Sequence, residues 1–388
     1  MLNINHLREP SLDDRYELER GQVFLSGIQA LTRLMIDQQR RDARDGLRTA
    51  SFVTGYPGSP LSGLDLVLHS ASALLKKYSV HHAPAQNEES AVGALMGTQM
   101  LDQHPHPDVD GVTGYWYGKG PGLDRAGDAI KHGNFAGTSK LGAVVIFSGE
   151  DHEAKSSTVP YQQEFSFEHS GIPVLYPASV AEFLEFGLHA VAMSRYSGCW
   201  VSLKLAGSLC DGSETVTVDL DFPPIAVPQH EVAKPLSNAP GYLYLPGFNI
   251  NTEQNLYYER HDAVRAYARA NALDRIVVRS TRDRIGIVAA GKTFTDVRQA
   301  LRELGYDDHA LNAAGIRLLK IGLLCPMDPE IVREFAHGLS DIIVVEEKRD
   351  FLERQIGRVV CDLGTPVRIV GKFDERGKPL FPIQGAMD

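Results

Sequence analysis

The segment TGYPGSPLSGLD (Thr54–Asp65) decides the fold. An apolar run, Ala50 to Val53, leads into it, and Thr49–Thr54 reads as a strand. Proline and glycine then punctuate a turn over Tyr56–Ser62, and a helix follows through Leu64–Lys77. A second segment, APAQNEESAVGALMGTQ (Ala83–Gln99), sets a carboxylate, Glu88, at the start of an Ala/Gly-rich helix over Glu88–Leu101. A turn at a strand end beside an acid at a helix start suits a ligand held over the edge of an α/β sheet.

Outward from these segments the pattern repeats. Gly111–Tyr117 is strand-like, Pro121–Asn134 a turn and helix, and LGAVVIF (Leu141–Phe147) a continuous apolar run typical of a buried parallel strand. Ile172–Tyr176 and Cys199–Leu205 read as strands around a Val180–Arg195 helix. Upstream, Gly21–Gln38 has helical spacing of Phe24, Leu25, Ile28, Leu31, Leu34 and Met35. Between Asp219 and Asp274 the periodicity fades into a Pro-rich connection with a helix over Asn255–Asn271. A second α/β unit follows: strands at Ile285–Ala289, Ile316–Ile321, Asp341–Glu346 and Val367–Val370. Its helices are Phe294–Leu304, Pro329–His337 and Phe351–Val360. The fold class expected is α/β, with two doubly wound, mostly parallel sheet domains. The boundaries expected are a first domain over 1–226, a linker over 227–280 and a second domain over 281–388.

Bulk properties narrow the function classes. The 388 residues allow roughly two to three domains. The net charge of −10 and the lack of a basic run argue against a nucleic-acid surface, which needs clustered Lys and Arg. No apolar stretch approaches the ~20 residues needed to span a bilayer. The polar, acidic N-terminus has no signal-peptide character, so a cytoplasmic location is expected. Cys199, Cys210, Cys325 and Cys361 form no CxxC pair, and iron–sulfur or structural zinc ligation is not expected of this chain. HPHPD (His104–Asp108) reads as a Pro-separated turn rather than a metal site.

Taken together, TGYPGSP and NEE followed by small residues resemble the pyrimidine-binding domain of the 2-oxoacid:ferredoxin oxidoreductases, in the indolepyruvate branch. YWYGKGPGLDRAGDAIKHGNFAGTS (Tyr115–Ser139), FSGEDHEAKSSTVPYQQE (Phe147–Glu164) and SRYSGCW (Ser194–Trp200) extend the resemblance, which runs roughly from Gln22 to Pro382. It implies a thiamine-diphosphate-binding fold followed by a transketolase C-terminal-like domain. It also implies oxidative decarboxylation of an aryl 2-oxoacid such as indolepyruvate to an acyl-CoA. By motif position Glu88 is the carboxyl that bonds N1′ of the aminopyrimidine, and it is the catalytic candidate. Tyr56, Pro57 and Gly58 would wall the cofactor, and Ser59, Lys119, Arg125 and His152 would face the substrate. Glu346 and Glu347, in VVEEKRDFLERQI, fall in the assembly domain and are expected to be structural.

The chain departs from the family in one respect: it contains no GDG diphosphate signature. The resemblance therefore implies a front portion, from a split gene or a truncated product, inactive alone. Thiamine diphosphate would occupy a shared site. Mg²⁺, iron–sulfur clusters and CoA would belong to diphosphate-binding and gamma-type domains or subunits. Ferredoxin or another acceptor would be reached through these, and the assembly would be a homodimer or hetero-oligomer. Two rival readings are a non-catalytic pyrimidine-domain homologue acting as scaffold, and a transketolase- or synthase-type thiamine enzyme.

Overall fold

The computed structural model describes residues 11–234, 248–364 and 366–387. Tyr242 to Leu245, expected to give the Pro-rich connection surface to bury, lie outside the described residues.

The first unit is built on a seven-stranded sheet. Its strands are β2 (Thr49–Gly55), β3 (Val80–His82), β4 (Gly111–Lys119), β5 (Ala143–Glu150), β6 (Val174–Leu175), β7 (Val201–Ala206) and β12 (Leu323–Cys325). The order is β12-β6-β7-β5-β4-β2-β3, and every pairing is parallel except β12 with β6. Helices Gly27–Arg44 and Val180–Ser197 cover one face, where Leu31, Leu34 and Phe183 meet Tyr115, Phe147 and Leu203. Helix Glu88–Thr98 and the second unit cover the other face, around Trp116, Ile146 and Trp200. Burial on both faces explains why β5 is continuously apolar from Ala143 to Phe147.

The second unit is a five-stranded sheet of β9 (Arg275–Val278), β10 (Ile285–Ala290), β11 (Ile316–Ile321), β13 (Asp341–Val345) and β14 (Arg368–Val370). Its order is β14-β13-β10-β11-β9, parallel except at β9. Both sheets have the expected α/β character. The short β12 crosses to the edge of the first sheet, so the two units share backbone hydrogen bonds as well as side chains.

Two expectations need correction. Residues 20–26 are not the start of a helix: β1 (Arg20–Ser26) pairs antiparallel with β8 (Ser213–Asp219). Val23 and Leu25 point inward and Phe24 outward, which is strand alternation. The helix begins at Gly27 because Ser26 forms a capping box with Gln29. Arg275–Val278, expected within the linker, is instead the edge strand of the second sheet. Among the described residues, no helix is long and apolar enough to cross a membrane.

Candidate cofactor edge and the seam beneath it

The strands of the first sheet run parallel, so their carboxyl ends align and the following loops gather along one edge. Gly55 ends β2, Lys119 ends β4 and Glu150 ends β5. Glu88 opens its helix just after β3, with Asn87 as N-cap accepting from Ser90 N at 2.8 Å. The Trp116 indole Nε1 donates to the Glu88 backbone carbonyl at 3.2 Å, tying the helix start to β4.

The Glu88 side chain is buried, at 8% exposure, and its Oε2 accepts no hydrogen bond. The Arg125 guanidinium lies 3.9 Å from that oxygen, while the Arg125 side chain is mostly in solvent. Gly122 provides the room: a Cβ there would stand 2.6 Å from Glu88 Cγ. A buried carboxylate oxygen without a donor is costly unless something outside the chain supplies one.

The other expected site residues sort into near and far. Gly58 lies against Lys119, where a Cβ would come within 2.9 Å of Lys119 Cδ. Tyr56 is exposed, and its N–H donates to the Tyr117 carbonyl at 3.2 Å. Pro57 is exposed and Ser59 half-buried in the same turn. Pro60 packs under Gly149 of β5, so the turn lies along the sheet edge. The Lys119 ammonium is tethered by Ser156 O at 3.1 Å and by the Ser156 and Ser157 hydroxyls at 3.2 Å.

His152 is placed elsewhere. It is 5% exposed, and its ring meets the second unit rather than the turn beside Glu88 where a substrate-facing role was expected. Its Nδ1 lies 2.5 Å from Glu347 Oε2 of the second unit. Burial pulls the imidazole below its ordinary value, although the Glu347 bond opposes this. We assign a neutral ring donating Nδ1–H to an ionised carboxylate. Burial works to raise the Glu347 carboxyl, but the His152 bond and the charges of Lys204 and Lys292 hold it down to about 2.

That contact belongs to a seam of buried charge between the units. Lys204 pairs with Glu164 and sits 4.6 Å over the Tyr176 ring. Burial works against its charge, yet Glu164, Tyr176 and Glu150 push its value up. Glu150 is pushed up to about 8, chiefly by burial with Glu164 adding, against Lys204 and Gln163. Its Oε2 accepts from Gln163 N at 3.1 Å. Glu346 caps the Phe351–Cys361 helix, accepting from the backbone N–H groups of Phe351, Leu352 and Glu353 at 2.7–3.0 Å.

Sequence reasoning missed Gly122 and Trp116 as partners of Glu88. It also missed a cluster in which the Tyr117 hydroxyl donates to Asp65 Oδ1 at 2.7 Å, with His82 Nε2 3.2 Å from that hydroxyl. Burial lowers the His82 value, partly offset by Asp65. The signal was that His82 and Tyr117 sit near the carboxyl ends of the two strands that flank β2, while Asp65 lies in the first turn of the helix that follows β2.

Comparison with known proteins bears on the fold. By fold, the chain matches a 2-oxoglutarate:ferredoxin oxidoreductase from Magnetococcus marinus with a TM-score of 0.65 at 14% identity, covering 93% of this chain and 63% of that one. A split-gene transketolase, an inactive tetramer, matches with a TM-score of 0.51 at 14% identity, covering 89% and 87%. These define a class, the oxoacid-oxidoreductase and transketolase type of α/β fold. Within it, residues 275–388 match the indolepyruvate oxidoreductase domain. Indolepyruvate oxidoreductase subunit IorA of Methanothermobacter marburgensis is 25% identical, covering 94% of this chain and 53% of that protein. The same subunit from Methanothermobacter thermautotrophicus is 24% identical, covering 92% and 52%. The chain is thus similar to indolepyruvate oxidoreductase subunits, and it spans about half the length of the curated relatives it matches.

Proposed function

We propose that this chain forms the pyrimidine-binding half of a thiamine-diphosphate cleft in a 2-oxoacid oxidoreductase assembly acting on an aryl 2-oxoacid such as indolepyruvate. The observation that carries the reading is Glu88: a buried carboxyl at a helix start, facing a glycine, with one oxygen lacking a hydrogen-bond donor. That arrangement fits a flat heteroaromatic ring whose nitrogen shares a proton with the acid.

Glu88 would hold and exchange the proton at its unpartnered Oε2. Tyr56, Pro57 and Gly58 would wall the cofactor. Ser59, Lys119 and Arg125 would orient the substrate, with the two cations offering charge to its carboxylate. Arg125, already near Glu88 and largely solvated, can turn toward an anionic substrate at little cost. His152 is left out of this set because its Nδ1 serves Glu347. When bound, the cofactor would supply the electron sink that decarboxylation needs.

In this reading residues 1–226 are the pyrimidine domain and 281–388 the transketolase C-terminal-like domain, with the boundary drawn back toward 275 to include β9. Mg²⁺, the diphosphate grip, iron–sulfur clusters, CoA and contact with ferredoxin would come from diphosphate-binding and gamma-type domains or subunits. The test is an assay of 2-oxoacid-dependent dye reduction, with thiamine diphosphate, Mg²⁺ and CoA, on the chain alone and with such a partner. Turnover only in the mixture supports the reading. If the mixture binds no thiamine diphosphate, the scaffold reading replaces it.

A further inference from the structure

The loop joining β5 to the Glu164–His169 helix is held at both of its margins by different parts of the molecule. On one side the second unit grips it. His152 Nδ1 meets Glu347, Lys348 Nζ donates to the His152 carbonyl, and Gln162 exchanges hydrogen bonds with Arg349 at 3.1–3.3 Å. Glu347 is itself braced, accepting from Met387 N at 3.3 Å.

On the other side the same loop grips the turn beside Glu88. The Lys119 ammonium donates to the Ser156 carbonyl and to the Ser156 and Ser157 hydroxyls. The Tyr161 side chain abuts Gly120, where a Cβ would stand 2.3 Å from Tyr161 Cγ. Two residues further on, Gly122 abuts Glu88. Every junction is thus a close steric contact or an anchored hydrogen bond.

We propose that residues 151–162 are a strap through which the second unit sets the position of the Lys119–Gly122 turn and hence of Glu88, with Glu347 and Lys348 as positioning residues. The functional half of this inference rests on the cofactor reading above; its mechanical half does not. The strap gives the second unit a task at the site that the pairing of β12 with β6 does not require. Close-packed contacts of this kind transmit displacement, because a well-packed interior does not deform freely. Misplacement of a reacting group by about 1 Å can cost on the order of 10²-fold in rate.

The experiment compares amide hydrogen exchange in wild type, Glu347→Ala and Arg354→Gln. Arg354→Gln breaks another pair between the units, with Glu168 at 2.7 Å, without touching the strap. The strap predicts that Glu347→Ala speeds exchange about tenfold in 151–162, in 117–125 and at 87–92, while Arg354→Gln speeds only its own surroundings. Should Glu347→Ala fail to fold, the Ser156→Ala/Ser157→Ala double variant removes two of the three Lys119 hydrogen bonds at the distal junction and should loosen 117–125 alone. Faster exchange confined to 151–162 in Glu347→Ala, or no change at 117–125 in the double variant, overturns the strap.

Thiamine-diphosphate affinity in the reconstituted assembly provides the second readout. The expectation is binding weakened about tenfold in Glu347→Ala and unchanged in Arg354→Gln, since supporting contacts fix a site's geometry. If exchange spreads as predicted while wild type binds no cofactor, the cofactor reading falls and the strap stands. If wild type and Glu347→Ala bind alike, the strap does not serve the site.

Discussion

The carboxyl edge around Glu88 and the seam around Lys204 are built from similar residues and solve opposite problems. Both hold buried carboxylates. In the seam nearly every charge faces a counter-charge or a donor: Lys204 with Glu164, Glu347 with His152, Glu346 with three backbone N–H groups. At the edge one Glu88 oxygen accepts no hydrogen bond, Gly122 stands beside it in place of a side chain, and Arg125, 3.9 Å away, stays largely in solvent. The seam also leaves carboxylate oxygens without a hydrogen bond, Glu150 Oε1 and Glu164 Oε2, but the cation beside them, Lys204, is buried with them, whereas the cation near Glu88, Arg125, is largely solvated. In the proposed reading the seam serves stability and the edge serves chemistry.

Four substitutions break or sharpen that contrast, taken from the largest effect down. Glu88→Gln should lower turnover in the assembled enzyme by about 10²–10⁴-fold, the usual worth of a positioned acid or base. The melting temperature of the chain should stay within a degree or two; a large drop would make Glu88 a structural residue. Lys204→Met should do the reverse. It leaves Glu164 buried and unpaired, and urea unfolding should register a loss of about 3–5 kcal/mol. Adding Glu164→Gln should recover part of this.

Third, Glu150 makes the seam pH-sensitive. Its folded value of about 8 lies above the ordinary 4.5, so its contribution is fully present below about 4.5 and is lost as pH rises through about 8. The urea midpoint should fall between pH 5 and pH 9 in wild type, and Glu150→Gln should flatten that fall. The smallest effect is at the helix start: Asn87→Ala removes the cap on Ser90 and should cost about 1 kcal/mol.

Much of this architecture is readable in the chain itself, for physical reasons. LGAVVIF announces a strand buried on both faces, and β5 is such a strand. The Tyr56–Ser62 turn and the Glu88 helix start are marked by local turn and cap chemistry, which needs no distant partner. The ribbon of β1 and β8 was hidden because its strands pair across almost two hundred residues, and Val23–Leu25 satisfy helical and strand spacing alike. β3, β6 and β12 are two or three residues long, too short for periodicity to register. For the site, the residue types at Glu88 and in the YPGSP turn were legible. The burial of His152 was not, since Glu347 meets it only after the two units pack. Gly122 could be read as a loop glycine but not as the neighbour that makes room for Glu88.

The central claim is that Glu88 is kept for a cofactor rather than for the fold. Its most direct test is calorimetric titration of thiamine diphosphate with Mg²⁺ into the chain mixed with its diphosphate-binding partner, comparing wild type with Glu88→Gln. The account predicts measurable binding in wild type that Glu88→Gln weakens or abolishes while both variants melt at the same temperature. Equal binding by the two, or binding by neither, would contradict it.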